Sequence, residues 1–247
     1  MIKINRSAEP KFLKDNKLSL WTALDAAIKK YGSYKDIPLG EKSKLVSAYR
    51  HADVKSALVA SSEGKCAFCE CVPSEGGNVE VEHYNPKSLY PELTFEWENL
   101  LPSCNRCNRD KSDHDTRVRP IVNPYEHDPK EFFYYEGLNI KPLDGESFDV
   151  ADLTIKVCGL NSLRLWEPRS KIYVSLHDFE RSLQEALTKY NEAPTDLIKS
   201  NRLRSIREAV DRIEMLRRSN EKYSSFSASF LDASVIYLAA REILDSQ

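Results

Sequence analysis

Glycine is scarce in this chain, with 8 residues in 247. Tight turns and bulges draw on glycine, so the scarcity favours helices over an all-β sandwich. Long apolar runs are missing as well. No stretch reaches the roughly 20 apolar residues of a bilayer-spanning helix. The opening MIKINRSAEPKFLK holds no apolar core of signal-peptide length. A cytoplasmic location is therefore the expectation. A charge excess is missing too. The formal net charge is −2, so nothing global advertises a polyanion partner. A nucleic-acid surface would have to come from local clustering or from a partner chain. No internal repeat or low-complexity tract is present. The length allows one large domain or two small ones, enough to bury a core.

The chain is organised around residues 66–111, CAFCECVPSEGGNVEVEHYNPKSLYPELTFEWENLLPSCNRCNRDK. Cys66 pairs by spacing with Cys69, and Cys104 with Cys107. Two such pairs can wrap one tetrahedral zinc. In a reducing compartment they read as metal ligands rather than disulfides. A zinc held by four thiolates is saturated, so it would hold the fold rather than do chemistry. Cys71 offers a further thiol, but its spacing makes it a bystander. Cys158 sits among apolar residues and reads as a buried free thiol.

The apolar spacing predicts a helix over 17–31 and a second over 41–62, after an extended segment 1–14. NVEVEH at 78–83 alternates and predicts a strand ending at His83. A loop then leads to a second short strand, and a short helix is expected from Asn105 through Lys111. FFYY, Gly137 and IKP predict a hairpin. Residues 151–175 give a mixed signal. Helices are expected over 176–191, 195–222 and 225–245. The last is nearly apolar throughout, so it is either buried or a partner surface. His51 and His177 fall on predicted helices. His114 and His127 fall on loops near the central stretch.

Glu82 and His83 are consecutive, and an extended chain points them to opposite sides. Both can serve one site only if the strand end turns. A neutral imidazole near pH 7 can take a proton from water. Glu82 and the amide oxygen of Asn108 would suit a hard cation such as magnesium or manganese.

EHYNPKS followed by WENLLPSCNRCNRDK resembles the HNH motif of the ββα-metal endonucleases. The resemblance implies that His83 is the general base and that Glu82 and Asn108 are the catalytic metal ligands. Asn99 would be the middle asparagine that braces the loop and orients the base. The four paired cysteines would be zinc knuckles. Glu82 departs from the family pattern, where Asp is more usual. A wider resemblance runs through IKINRSAEP, VEHYNPKS, NPYEHDPKEFFYYEG and TIKVCGLNSLRLWEPR. These segments look like the PtuB-type HNH proteins of Septu anti-phage systems, including those attached to retrons. That resemblance implies a PtuA-type ATPase partner, an association with a retron reverse transcriptase assembly, and a defensive role.

The expected fold is α+β, a small ββα-metal module embedded in mostly helical flanks. Its segments would be 1–62 (helical), 63–120 (nuclease module with zinc), 121–175 (mixed) and 176–247 (helical). The expected activity is metal-dependent phosphodiester hydrolysis, with DNA as default substrate and RNA allowed. Arg106, Arg109 and Lys111 flank the site and are candidates for nucleic-acid contact. Arg117, Arg119 and the basic stripe over 199–222 are weaker candidates, since a solvated face explains them equally. Two rivals stand beside this reading: a zinc-held binding module without catalysis, and a toxin-like ribonuclease acting on host RNA. Glu82, His83 and Asn108 favour an enzyme over the binding module, which needs cysteines alone.

Overall fold

A computed structural model describes residues 1–246. The chain forms two compact units. The first comprises Met1–Phe133 and Pro142–Leu160. The second comprises Tyr134–Lys141 and Asn161–Gln247. The architecture is helix-rich α+β with two small antiparallel sheets. No helix among the described residues is long and apolar enough to cross a membrane.

The first unit opens with α1 (Lys11–Tyr31), α2 (Leu39–Val46) and α3 (Ala52–Ser61). The helix α1 begins earlier than its spacing predicts. Pro10 stands at its N-cap, where a missing N–H removes nothing from the helix. The single helix expected over 41–62 is broken. A 3₁₀ turn, Ser47–Arg50, and an extended His51 separate α2 from α3. His51 Nδ1 accepts from the Asp53 amide, and its ring stacks on Phe12 at 3.7 Å. The break drives Tyr49 inward to meet the His83 ring edge-on at 4.6 Å.

The strands β1 (Glu80–His83) and β2 (Leu100–Ser103) pair antiparallel, with Val81 opposite Pro102 and His83 opposite Leu100. α4 (Asn105–Lys111) follows β2 almost directly. One core joins these pieces: Leu13 and Leu24 of α1, Val54 and Leu58 of α3, Val81 of β1, Leu100 of β2, and Phe95 and Trp97 from the intervening loop. α5 (Phe148–Val157) closes the unit. The turn after it fits tightly against α4. A Cβ built on Gly159, whose φ is +60°, would lie 2.5 Å from an Asp110 oxygen.

The predicted hairpin forms as β3 (Phe133–Glu136) and β4 (Asn139–Pro142), its residues Tyr134–Lys141 belonging to the second unit, with Gly137 at φ +54° in the turn. Positive φ at that position suits a tight hairpin. The α6 helix (Leu163–Asn191) starts 13 residues before the expected 176, with Pro168 inside it. Pro168 is its sixth residue, so the Arg164 carbonyl lacks the N–H that a regular α-helix would bring to it. α7 (Asp196–Met215) packs on α6. The apolar helix expected over 225–245 is two helices, α8 (Ser224–Ala233) and α9 (Val235–Asp245). Ser234 interrupts them because its hydroxyl accepts from the Tyr237 amide and caps α9.

Arg6 anchors the N-terminal segment. Its guanidinium donates to the carbonyls of Trp97, Glu98 and Leu100 and lies 3.7 Å from the Tyr125 ring centroid. Arg6→Ala is expected to destabilise the chain by about 2–3 kcal/mol, since it strips a charged donor from several carbonyls. Arg6→Lys should recover little, because an ammonium lacks the planar fork. Urea unfolding of the two variants tests both statements.

Candidate functional site

The two cysteine knuckles meet across β2. In the first, the Cys66 amide donates to the Cys71 carbonyl at 2.9 Å and the Glu70 amide to the Cys66 carbonyl at 3.0 Å. Glu70 adopts φ +62° to complete the reversal. The Ala67 amide reaches the Pro102 carbonyl at 2.9 Å, tying this knuckle to β2. The second knuckle continues from β2 into α4. Cys104 is the N-cap of α4, and its sulfur accepts from the Cys107 amide at 3.4 Å.

The Sγ atoms of Cys66, Cys69, Cys104 and Cys107 all lie within 4.8 Å of one another, and all four residues are buried. Four sulfurs around zinc, at a Zn–S length of about 2.3 Å, would stand about 3.8 Å apart. Cys69 Sγ and Cys104 Sγ are separated by 3.8 Å. The donor set and spacing fit a metal such as zinc. Cys71 is outside the group of four. Hydrogen bonds from Cys107, Cys66 and Cys69 push the Cys104 thiol down toward thiolate. Burial pushes Cys158 the other way, so it remains a thiol. The Cys158 carbonyl accepts from Cys107 Sγ at 3.6 Å.

Next to this group β1 and α4 enclose a cleft of about 440 Å³, lined by Glu82, His83, Lys87, Asn108 and Arg109 among others. Alternation along β1 turns Glu80 and Glu82 toward α4. Glu80 accepts from Asn105 Nδ2 at 2.7 Å and from Asn108 Nδ2. Holding Asn108 by its nitrogen leaves its Oδ1 as the acceptor end. Glu82 Oε1 accepts from Lys111 Nζ at 2.7 Å. Lys111 also donates to the His83 carbonyl at 2.8 Å. Burial raises the Glu82 pKa, and the Lys111 charge opposes that rise.

His83 sits on the opposite face of β1, yet it reaches the same cleft because the strand ends there. Its Nε2 is 3.0 Å from the Thr94 carbonyl. A carbonyl only accepts, so Nε2 carries the proton and Nδ1 holds the lone pair. Burial holds the imidazole neutral. Its pKa is pushed down to about 3, with Lys87, Lys111 and Arg50 adding to the effect and the Thr94 carbonyl opposing it.

Asn99 does not touch the imidazole. Its Oδ1 accepts from the Asn85 amide at 2.7 Å, and its Nδ2 donates to the carbonyls of Asn85 and Leu93 at 3.0 and 3.2 Å. It clamps the two ends of the loop between β1 and β2, and that loop presents Thr94 to His83. The bracing runs through backbone rather than through the base itself.

The three basic candidates separate. Arg109 is exposed and lines the cleft. Arg106 is exposed but pairs with Asp110 at 3.0 Å. The expectation of Lys111 on a phosphate-facing surface is corrected: its ammonium is fully buried between Glu82 and the His83 carbonyl. Helical phase turns it under β1 rather than outward. His114 and His127 brace their own loops, His114 near the Arg119 carbonyl and His127 accepting from the Asn123 amide.

Sequence reasoning overlooked Glu80, Lys87 and Thr94. Glu80 was findable, because it shares a strand face with Glu82 two residues away. Lys87 makes no ion pair with any described residue and lies 5.3 Å from the Tyr49 ring centroid. Burial lowers its pKa, with Glu82 opposing. The cleft therefore holds a half-buried ammonium together with a neutral histidine and the acids Glu82 and Asp113.

The first unit is thus a small α+β domain built on a four-cysteine group, with a neutral buried histidine beside a carboxylate. No family model matches the chain. A Septu protein PtuB from Bacillus thuringiensis is 34% identical over 197 residues, covering 77% of this chain and 73% of that protein. A Septu protein PtuB from Bacillus mycoides (strain KBAB4) is 30% identical over 207 residues, covering 70% of this chain and 67% of that protein. Protein ea31 of Escherichia phage lambda is 30% identical over 82 residues, 32% of this chain. The chain belongs to the Septu PtuB family.

Cys104→Ser is expected to lose the bound metal and the cooperative fold, since binding free energy at such a site is folding free energy. Cys71→Ser should retain one metal per chain. Elemental analysis with thermal melts separates the two. Nitrogen-15 NMR of His83 at neutral pH should show the tautomer protonated at Nε2. A proton on Nδ1 would contradict the hydrogen bond to Thr94.

Proposed function

We propose that the chain is a metal-dependent HNH-type endonuclease and the nuclease component of a Septu anti-phage assembly. The observation that carries this reading is the cleft itself. It gathers a neutral His83, the carboxylate of Glu82, the amide oxygen of Asn108 and the half-buried ammonium of Lys87. Glu82 and Asn108 would hold a divalent magnesium or manganese ion, and their oxygen donors fit a hard cation. When bound, that ion would neutralise charge on the phosphate and on the leaving oxygen.

The residues of the chain have separable tasks. His83 Nδ1 takes a proton from a water as its oxygen bonds to phosphorus, and the bond to the 3′ oxygen breaks. The Thr94 carbonyl holds the Nε2 proton and favours the imidazolium that forms. Asn99 keeps that carbonyl in place. Lys111 fixes Glu82 and the end of β1. Lys87 and Arg109 would bind phosphate oxygens. This route does not use a 2′ hydroxyl, so DNA is the default substrate and RNA remains a substrate of the same chemistry. Family membership supports a place beside a PtuA-type ATPase, and in some systems beside a retron reverse transcriptase. A net charge of −2 gives little long-range pull on nucleic acid, which is a reason for a partner to supply that surface.

Incubation with plasmid and with tRNA, alone and with the ATPase, should give cleavage that requires magnesium or manganese and leaves 5′-phosphate ends. Products ending in 2′,3′-cyclic phosphate would overturn the mechanism. His83→Ala should keep the structural metal and lose about 10²–10⁴-fold in rate, the usual contribution of a general base. Lys87→Met should weaken nucleic-acid binding about tenfold or more, the loss of one charged contact. Lys87→Arg should restore part of it.

A further inference from the structure

The second unit holds a separate pocket of about 200 Å³, walled by Tyr135 of β3, Tyr173, His177 and Glu180 of α6, and Phe226 and Phe230 of α8. Its size falls below the roughly 300 Å³ at which pockets for drug-sized ligands begin. It suits a single side chain rather than a nucleotide. The rings meet at right angles. Tyr173 is edge-on to His177 at 4.4 Å, His177 to Phe230 at 4.9 Å, and Tyr135 to Phe226 at 5.1 Å. A cation can lie against the face of a ring in such a wall.

Glu180 is the acidic group on the wall, and no lysine or arginine lines the pocket. Ser234 Oγ donates to Glu180 Oε1 at 2.5 Å, and His177 Nδ1 lies 3.2 Å from Oε2. These contacts fix the carboxylate, and a carboxylate has further lone pairs to offer. Within the same unit, Arg169 already lies 5.2 Å from the Tyr135 ring centroid, so one of these aromatics has accepted a guanidinium. Trp166, 40% exposed, precedes Tyr173 by two turns on the same stripe of α6. Val174 and Val235, next in sequence to pocket residues, are 60% and 79% exposed. A small pocket with an acid and aromatic rings on its wall can seat one anchoring side chain of a partner.

We infer that this pocket receives an arginine side chain projected by a partner polypeptide. The planar guanidinium can stack on one ring while its fork meets Glu180, which an ammonium cannot do. The inference is independent of the nuclease reading, because no residue of the cleft takes part in it.

The test is titration of the full chain with acetyl-arginine amide, followed by amide NMR shifts at Tyr135, Ser229 and Ser234. Acetyl-citrulline amide, its neutral counterpart, should shift these signals at least tenfold more weakly, as loss of a charge-assisted pair implies. Glu180→Gln and, separately, Tyr173→Leu should abolish the response to arginine while leaving the melting temperature near that of the parent. Equal response to citrulline overturns the inference. So does displacement of the arginine probe by guanosine monophosphate, or the absence of any shift at the solubility limit of the probe.

Discussion

Four buried sulfurs brought within 4.8 Å of one another are the constraint on which the first unit depends. Thiolates so close repel, and burial removes the water that would screen them. A cation among them reverses the sign of that energy. The cluster joins residues 66–69 to residues 104–107, and everything between is thereby a closed loop. That loop contains β1, β2 and the chain that carries Thr94. Closing it fixes the register in which His83 faces Leu100, and so decides what stands at the end of β1. The turn at Gly159 is part of the same constraint, since Asp110 leaves no room there for a side chain.

A second buried interaction sets the polarity of the cleft. Lys111 and Glu82 form an ion pair whose members are both nearly inaccessible. Such a pair adds little net stability, but removing either partner leaves an uncompensated buried charge, a loss of about 3–5 kcal/mol. The ammonium also holds the His83 carbonyl, so one side chain fixes two consecutive residues of β1. Glu80 performs the matching task one step earlier on the strand, where it ties Asn105 and Asn108 of α4. Strand and helix are therefore laced by polar contacts on the face that borders the cleft. The apolar side of the sheet, Val81 of β1 and Leu100 of β2, belongs to the core of the first unit.

Much of this arrangement is legible in the sequence, for identifiable reasons. The short elements β1 and α4 follow from alternation and from the second cysteine pair, both local signals. The hairpin follows from Gly137, whose positive φ only a turn requires. The helix breaks are not legible. His51 and Ser234 act through a ring nitrogen and a hydroxyl that cap the next helix, and neither disturbs the apolar spacing around it. The early start of α6 is hidden because Pro168 reads as a breaker, yet the helix runs through it. Lys111 defeats sequence reasoning most fully. A lysine at the end of a basic helix reads as solvated, and only the depth of Glu82 behind it turns it inward. The grouping of Glu82, His83 and Asn108 in one cleft needed the strand to end at His83, which the alternation does indicate.

The near-zero net charge and the cleft are compatible because charge here is arranged by depth rather than by amount. The surface arginines of α4 are partly cancelled, Arg106 by Asp110. Lys111 is cancelled inside by Glu82. Lys87 is the exception, an ammonium half withdrawn from water that shares the cleft with Glu82 and Asp113 but bonds to neither. Its charge acts on its surroundings: after burial, which is the larger cause, it disfavours the protonated form of His83. The same low-dielectric setting that keeps the imidazole neutral strengthens the pull of Lys87 on any anion entering the cleft. An incoming anion would offset that cation and make it easier for His83 to accept a proton. In the proposed nuclease, base and anion contact would thus be electrostatically coupled, with the imidazole better able to accept a proton once negative charge has entered the cleft.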